Sequence, residues 1–590
     1  MLLKILVLSW FCAISCFGSD LIENMTLEEK VGQILMVHFH GEEANEDARI
    51  LIQDTKVGGI IYYNWSNGLH SPSQVQALSA GLQEFAKSNR FPIPLLIAAD
   101  QEGGIVARLR SGFTEFPGNR ALSETCDPSL AEEAALVMGQ ELQAVGVNMN
   151  LAPVVDVNSN PRNPVIGIRS FGNDPEIVTA FGERALKGYN RAQVISTLKH
   201  FPGYGDVGVD PHVDLPVILK SKEELEQVEL LPFSKLSLSA DAIMTAHILV
   251  PALDQDNCAT LSKKTLSYLR DKIGFQGLIV ADSLVMDGVL KTCSSVDEAS
   301  IAALNAGCDL LILGGKLLMG EHAGNELATP DVQRIHRSII AAVQNGLILE
   351  ERVDDAALRI LRLKERYLSK QLQNTLQDQI YSLEHRAVAQ KIASLALKVT
   401  KRESNKGVSD LVKNLELVDN CDLSSVQLSS EIAQEYPPRR EQKNLDYLKG
   451  PKFPLLDRAL YPSLHEKKVL VVAPQLLQLI LSSTTLLNLG KSTQAYYFSG
   501  INPSQIEVET AEQYSEAADV IIVCSYNAWR LPPATLLAQT LLDTGKPFIL
   551  LSLKDPLDAS IFPTANLIFE SFSPTVTSVQ AICDRLVESF

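Results

Sequence analysis

The strongest constraint on this chain is a rhythm: eight apolar runs, separated by stretches with helical periodicity, occupy its first half. The runs are ILMVHF (34–39), GGIIYYN (58–64), PLLIAAD (94–100), VNMNLAPVVD (147–156), VISTLKH (194–200), AIMTAH (242–247), GLIVAD (277–282) and CDLLIL (308–313). Runs this apolar suit strands buried on both faces, which calls for a parallel sheet covered by helices. Helical patterns over 129–146 and 177–192 supply two such helices. Eight strand–helix units predict an α/β fold, the (β/α)8 TIM-type barrel. The pattern closes with a helix near 356–367, and another helix is expected over 385–399.

The polar residues that end these runs point to function. Asp100, Asp156, Lys199 with His200, His247 and Asp282 all stand at the C-terminal end of a run. One such residue could merely cap the next helix. Five runs ending this way argue for a catalytic face, because barrel enzymes build their sites at that end of the strands.

The rest of the chain divides further. Residues 1–18 read as a signal peptide: Lys4 is followed by an apolar stretch over 5–17, too short to span a bilayer comfortably. Export to a periplasmic or extracellular location follows, and Cys16 is a weak candidate for a lipid anchor. No other apolar run is long enough to form a transmembrane helix. The barrel is expected over 19–375, and a helical or irregular connector over 376–466. A smaller α/β domain over 467–590 has strands at KVLVVA (468–473), ADVIIVCSY (518–526), PFILLSL (547–553) and LIFES (567–571). An open, mostly parallel sheet is predicted there. No glycine-rich phosphate loop is present, so no nucleotide cofactor is expected.

A net charge of −18 gives the chain no electrostatic case for binding nucleic acid or an anionic membrane. The cysteines form no CxxC pair, so neither a zinc site nor a disulfide framework is expected, and most read as small buried hydrophobes.

Two segments carry candidate chemistry. Asp282, at the end of GLIVAD, is placed where an ionised nucleophile would be held. The segment KHFPGYGDVGVDPHVDLP (199–216) opens at a strand end and continues as a loop rich in Gly and Pro. Gly203, Gly205 and Gly208 permit positive φ or close backbone approach there. Asp210 and His212 lie two apart, with Pro211 biasing Asp210 towards extended geometry. A carboxylate so placed could orient the imidazole and stabilise its charged form. DxH alone is no more than a loop with charges; the whole segment is more specific.

Taken together, these motifs resemble glycoside hydrolase family 3, in its β-N-acetylglucosaminidase branch. The family's KHFPGHG…DSH signature stands here as KHFPGYG…DPH, and its DxEGG…R motif as DQEGGIVAR (100–108). NLAPVVD (150–156), RSFGNDP (169–175), MTAHILVPALD (244–254) and FQGLIVADSLVMDG (275–288) follow in the family's order. The resemblance implies Asp282 as nucleophile and His212 as acid/base with Asp210 as its partner. It implies Asp100, Arg108, Arg169, Lys199 and His200 as sugar-binding residues. Glu102 reads as an ion-pair partner rather than a catalytic group.

Tyr204, Ile105 and Pro211 depart from the usual pattern, and none removes an implied catalytic residue. The implied activity is retaining hydrolysis of terminal β-N-acetylglucosaminides from cell-wall muropeptides or chitin-type oligosaccharides, with no metal or other cofactor. A β-glucosidase, a phosphorolytic glucosaminidase and a non-catalytic wall-binding protein remain as alternatives.

Overall fold

The computed structural model describes residues 21–208, 215–315, 326–369, 379–401 and 464–589. The expected signal peptide, the Asp210–His212 pair and most of the connector lie outside the described residues. The chain forms two compact units: Met1–Thr114 with Ser129–Arg386, and Glu115–Pro128 with Ala387–Phe590.

In the first unit the eight apolar runs become eight short strands: β1 (Leu35–Val37), β2 (Gly59–Ile61), β3 (Leu96–Ala99), β4 (Met149–Asn150), β5 (Ile195–Phe201), β6 (Ala242–Thr245), β7 (Leu278–Ala281) and β8 (Leu310–Ile312). They close a barrel in sequential order, every pairing parallel. Every residue of these strands is buried, which explains the absence of polar alternation in the sequence.

The outer helices are set by local signals. The helix Pro175–Arg191 starts at Asp174, whose carboxylate accepts from the backbone N–H of Glu176 at 2.8 Å, with Pro175 at its first position. Its buried face carries Val178, Phe181, Ala185, Leu186 and Tyr189, a spacing of three and four that matches one side of a helix.

The helix Glu350–Leu368 carries a buried charge to the face of the barrel opposite the strand C-termini. The Lys364 ammonium donates to Gln33 Oε1 and to the Gly58 carbonyl, both at 2.8 Å. Burial pulls its pKa down to about 7. A lysine depressed in the folded state is destabilising while protonated in both states. That cost is relieved as pH rises from about 7 towards the unfolded value near 10.4. Comparison with Lys364→Met by urea unfolding is therefore expected to show the wild type gaining up to about 4 kcal/mol on the variant between pH 6 and 10. A pH-independent difference would mean that Lys364 is solvated.

The second unit is a doubly covered sheet of six strands: β9 (Lys398–Lys401), β10 (Lys468–Pro474), β11 (Ser492–Phe498), β12 (Val520–Ser525), β13 (Phe548–Ser552) and β14 (Leu567–Glu570). The spatial order is β9-β14-β13-β12-β10-β11, and all neighbours are parallel except β9 with β14. Val469, Val471, Ile522 and Leu551 pack with Ile582 and Leu586 of the C-terminal helix. The alternate residues Leu470, Val472, Ile521 and Leu550 pack with Leu537 and Leu541 of the helix Pro532–Leu542.

Two elements differ from the sequence expectation. The helix expected over 385–399 spans Leu383–Ala396, and Lys398–Lys401 turns into an antiparallel edge strand. The other edge strand, β11, has part-exposed, polar-rich sequence that gives no apolar run. Among the described cysteines, Cys258, Cys308, Cys524 and Cys583 are buried free thiols. Cys126 instead is disulfide-bonded, and its partner lies outside the described residues.

Candidate active site

The C-terminal ends of β3 and β5 bring the expected sugar-binding residues together. After β3 the chain makes a small hairpin, Gln101–Gly103 with Val106–Ala107. Gly103 and Gly104 turn it at φ 86° and 60°, a conformation that other residues rarely adopt. Gln101 locks the return: its Oε1 accepts from the backbone N–H groups of Arg108 and Leu109 at 2.9 and 3.0 Å. The hairpin thereby delivers Arg108 back to Asp100, where Nη2 and Oδ2 are 2.9 Å apart.

From this pair a line of alternating charge runs inwards. Lys199, on β5, places its ammonium 2.9 Å from Asp100 Oδ1 and 2.8 Å from Glu102 Oε1. Arg169 closes the line with a two-pronged contact: Nε and Nη2 donate to the two Glu102 oxygens at 2.9 and 2.8 Å. Burial alone would raise both carboxyls, yet the neighbouring cations outweigh it. Lys199 and Arg108 hold Asp100 well below the usual carboxylate range. Arg169 and Lys199 hold Glu102 at about 2. Glu102 is thus the ion-pair partner that its place in DQEGG suggested.

A second pair lies beside this line. His200 Nδ1 is 2.7 Å from Asp156 Oδ2, and the other carboxylate oxygen accepts from the backbone N–H groups of His200 and Tyr204 at 3.1 and 2.7 Å. The carboxylate can only accept, so the proton of this bond sits on Nδ1. Asp156 is buried, so its strand-end position serves to aim His200 rather than to meet a sugar.

Tyr204, where the signature usually has His, is also buried, and its hydroxyl donates to the His247 carbonyl at 2.9 Å. Gly205 follows at a point where a Cβ would lie 1.5 Å from the Val157 carbonyl oxygen, so the backbone path requires glycine. On the far side of 209–214 the chain is held again. Leu249 N–H donates to the Pro216 carbonyl at 2.9 Å, and Ile218 N–H to the Leu249 carbonyl at 3.0 Å. The loop expected to carry Asp210 and His212 therefore has both ends tied to the segment after β6.

Asp282 follows β7 and is part-exposed on this same face. Its Oδ1 accepts from Ser283 N–H at 2.7 Å. His247 supports the turn from beneath: its Nε2 donates to the Ser283 carbonyl at 2.9 Å. Tyr63, after β2, lies under the Arg108 guanidinium at 5.4 Å and stacks on Trp65 with ring centroids 5.2 Å apart. Burial and then the charges of Asp100 and Asp282 push its hydroxyl pKa up, so it remains a neutral wall of the site.

A strand-end carboxylate and a line of charged hydrogen-bonding groups share the C-terminal face of a (β/α)8 barrel, the face on which barrel enzymes build their sites, and such groups suit a polyol. Residues 26–363 match the N-terminal domain of glycosyl hydrolase family 3, and the chain belongs to that family. It is 32% identical over 429 residues to β-hexosaminidase A of Pseudoalteromonas piscicida, covering 67% of this chain and 70% of that one. It is 38% identical over 285 residues to a β-hexosaminidase of Tolumonas auensis, covering 47% of this chain and 81% of that one. Among solved structures, a family 3 β-N-acetylglucosaminidase from Paenibacillus sp. str. FPU-7 superposes with a TM-score of 0.78 at 32% identity, over 96% of this chain and 97% of the other.

Proposed function

We propose that the chain is an exported, retaining glycosidase that removes terminal non-reducing β-N-acetylglucosamine residues. Its substrates are oligosaccharides of the cell-wall muropeptide or chitin type, and the reading extends to a role in peptidoglycan turnover. The observation that carries this reading is the joint presence, on one barrel face, of Asp282 and the Arg108–Asp100–Lys199–Glu102–Arg169 line. The β-hexosaminidase relatives support the choice of sugar. The Cys126 disulfide supports an oxidising compartment, and Cys16 is the candidate for any lipid anchor.

In the proposed mechanism Asp282 attacks the anomeric carbon while His212, paired with Asp210, gives its proton to the departing oxygen. The sugar–oxygen bond breaks and a glycosyl ester forms on Asp282. His212 then takes a proton from water, whose oxygen displaces the carboxylate and releases the sugar with its original configuration. Asp100, Arg108, Lys199 and His200 hold the sugar hydroxyls. Arg169 spends Nε and Nη2 on Glu102 and fixes Lys199 through it.

The test is turnover of 4-nitrophenyl β-N-acetylglucosaminide and β-glucoside, each with and without inorganic phosphate. The glucosaminide is expected to lead by about 100-fold in kcat/KM, with free sugar as product under both conditions. Preference for the glucoside would reassign the substrate, a sugar phosphate product would make the enzyme a phosphorylase, and no turnover of either would leave a binding protein.

A further inference from the structure

Beside the sugar site, the end of β1 presents a second cluster. His38 and His40 follow the strand two residues apart, and their rings lie 6.1 Å from each other. Glu326 meets both. Its Oε1 is 2.5 Å from His40 Nε2, and its Oε2 is 3.5 Å from His38 Nε2. One ligand atom from each of the three residues falls within 4.8 Å of the others. Zinc bonds of 2.0–2.2 Å in a tetrahedron space their ligand atoms roughly 3.3–3.6 Å apart, so the cluster accepts an ion with shifts of about 1 Å.

A second observation separates this cluster from an ordinary surface ion pair. His38 is only 3% exposed, and among the described residues the only polar groups near its ring nitrogens are the Glu326 carboxylate, 3.5 Å from Nε2, and the Leu313 backbone, neither in good hydrogen-bond geometry. Glu326 Oε2 is likewise buried, and its contact to His38 falls short of good hydrogen-bond geometry. Buried polar atoms left in this state cost free energy that a ligand would recover. The surroundings are suited to that ligand. Trp65 packs against the His38 ring at 5.0 Å and Tyr63 at 6.0 Å, forming an apolar wall on one side. His40 is more than half exposed and opens the other side to solvent.

We propose that His38, His40 and Glu326 form a binding site for one zinc-class divalent cation, with its remaining position open to water. Two imidazoles and one carboxylate suit zinc and its first-row neighbours; calcium and magnesium demand more oxygen ligands than are present. The ion would tie the end of β1 to the chain at Glu326. Through the His38–Trp65–Tyr63 ring contacts it would also steady the ring over which Arg108 lies. It is a clamp, and the hydrolytic chemistry proposed above does not run through it, so the expectation that catalysis needs no metal is unaffected.

The test uses the full chain, free of any histidine tag and stripped with chelator. Equilibrium dialysis against zinc chloride with elemental analysis is expected to give one ion per chain with a Kd below about 10 μM. Cobalt in its place should give visible absorption bands of a low-coordinate site. His40→Gln alters a half-exposed side chain and so keeps the fold. Both it and Glu326→Gln should weaken zinc binding by about 100-fold and abolish the cobalt bands, while His200→Gln should retain them. The proposal is overturned if the wild type takes up no zinc at 100-fold above that Kd. It is overturned equally if either His40→Gln or Glu326→Gln binds as tightly as the wild type, or if His200→Gln alone removes the ion.

Discussion

Asp282→Asn is expected to lower kcat on the glucosaminide by about four orders of magnitude with an unchanged melting temperature. The amide oxygen of Asn can accept the Ser283 N–H bond that the carboxylate accepts at 2.7 Å, so the turn after β7 keeps its support. What is lost is the anionic oxygen that would form the glycosyl ester. Because the substitution acts on bond making and leaves the hydroxyl-binding groups in place, KM should change much less than kcat. A variant retaining more than a tenth of wild-type kcat would remove Asp282 from the nucleophile's role. The nucleophile would then be sought among the other strand-end carboxylates.

The largest effect on stability is expected at Glu102. The charged line contains three cations and two carboxylates, so Glu102→Leu leaves Asp100 facing Arg108 and Lys199, and takes from buried Arg169 the carboxylate it is paired with. An uncompensated buried charge costs about 3–5 kcal/mol. Removing the partner cation as well, in Glu102→Leu/Arg169→Met, restores the original charge balance, and the double variant should recover about half of that loss. Denaturant unfolding of the two single variants and the double measures the coupling. Costs that simply add would show that packing, and not charge, decides the contribution of the pair. The pH dependence has a definite sign. The Glu102 carboxyl is held at about 2, below an unfolded value near 4.3. Its contribution is therefore full above about 4.3 and is lost as pH falls through about 2.

The barrel was legible because its strands are buried on both faces. Each of the eight apolar runs coincides with one observed strand, β5 reaching one residue past its run, and the runs overshoot partly because buried loop residues such as Tyr62 and Leu313 continue them. The second sheet was legible in its central strands and not at its edges. β11 is part-exposed, and β9 lies more than sixty residues before the strands it joins. At the site, the sequence pointed to Asp100, Arg108, Lys199, His200, Arg169 and Asp282, and the fold gathers the first five into two hydrogen-bonded groups. It could not show that Asp156 aims His200, because 44 residues separate them and only the pairing of β4 with β5 makes them neighbours. The cluster at His38 was missed although a signal existed: an H-x-H pair directly after a strand keeps two imidazoles close together. Its carboxylate, 286 positions from His40, carries no motif.

The two tethers on either side of 209–214 have a bearing on how such enzymes diversify. Tyr204 and Gly205 are fixed against the barrel before the segment, and Pro216 and Ile218 are fixed after it. Insertions, deletions or wholesale replacement between these anchors leave every barrel strand and the charged line untouched. Asp282, by contrast, sits at the mouth of β7 and cannot move without the strand. If Asp282 and His212 act as proposed, descent can preserve the electrophile-capturing half of the reaction while the proton-delivering half is exchanged as a cassette. The architecture allows one ancestral barrel to give rise to descendants with different leaving groups, acceptors and pH ranges.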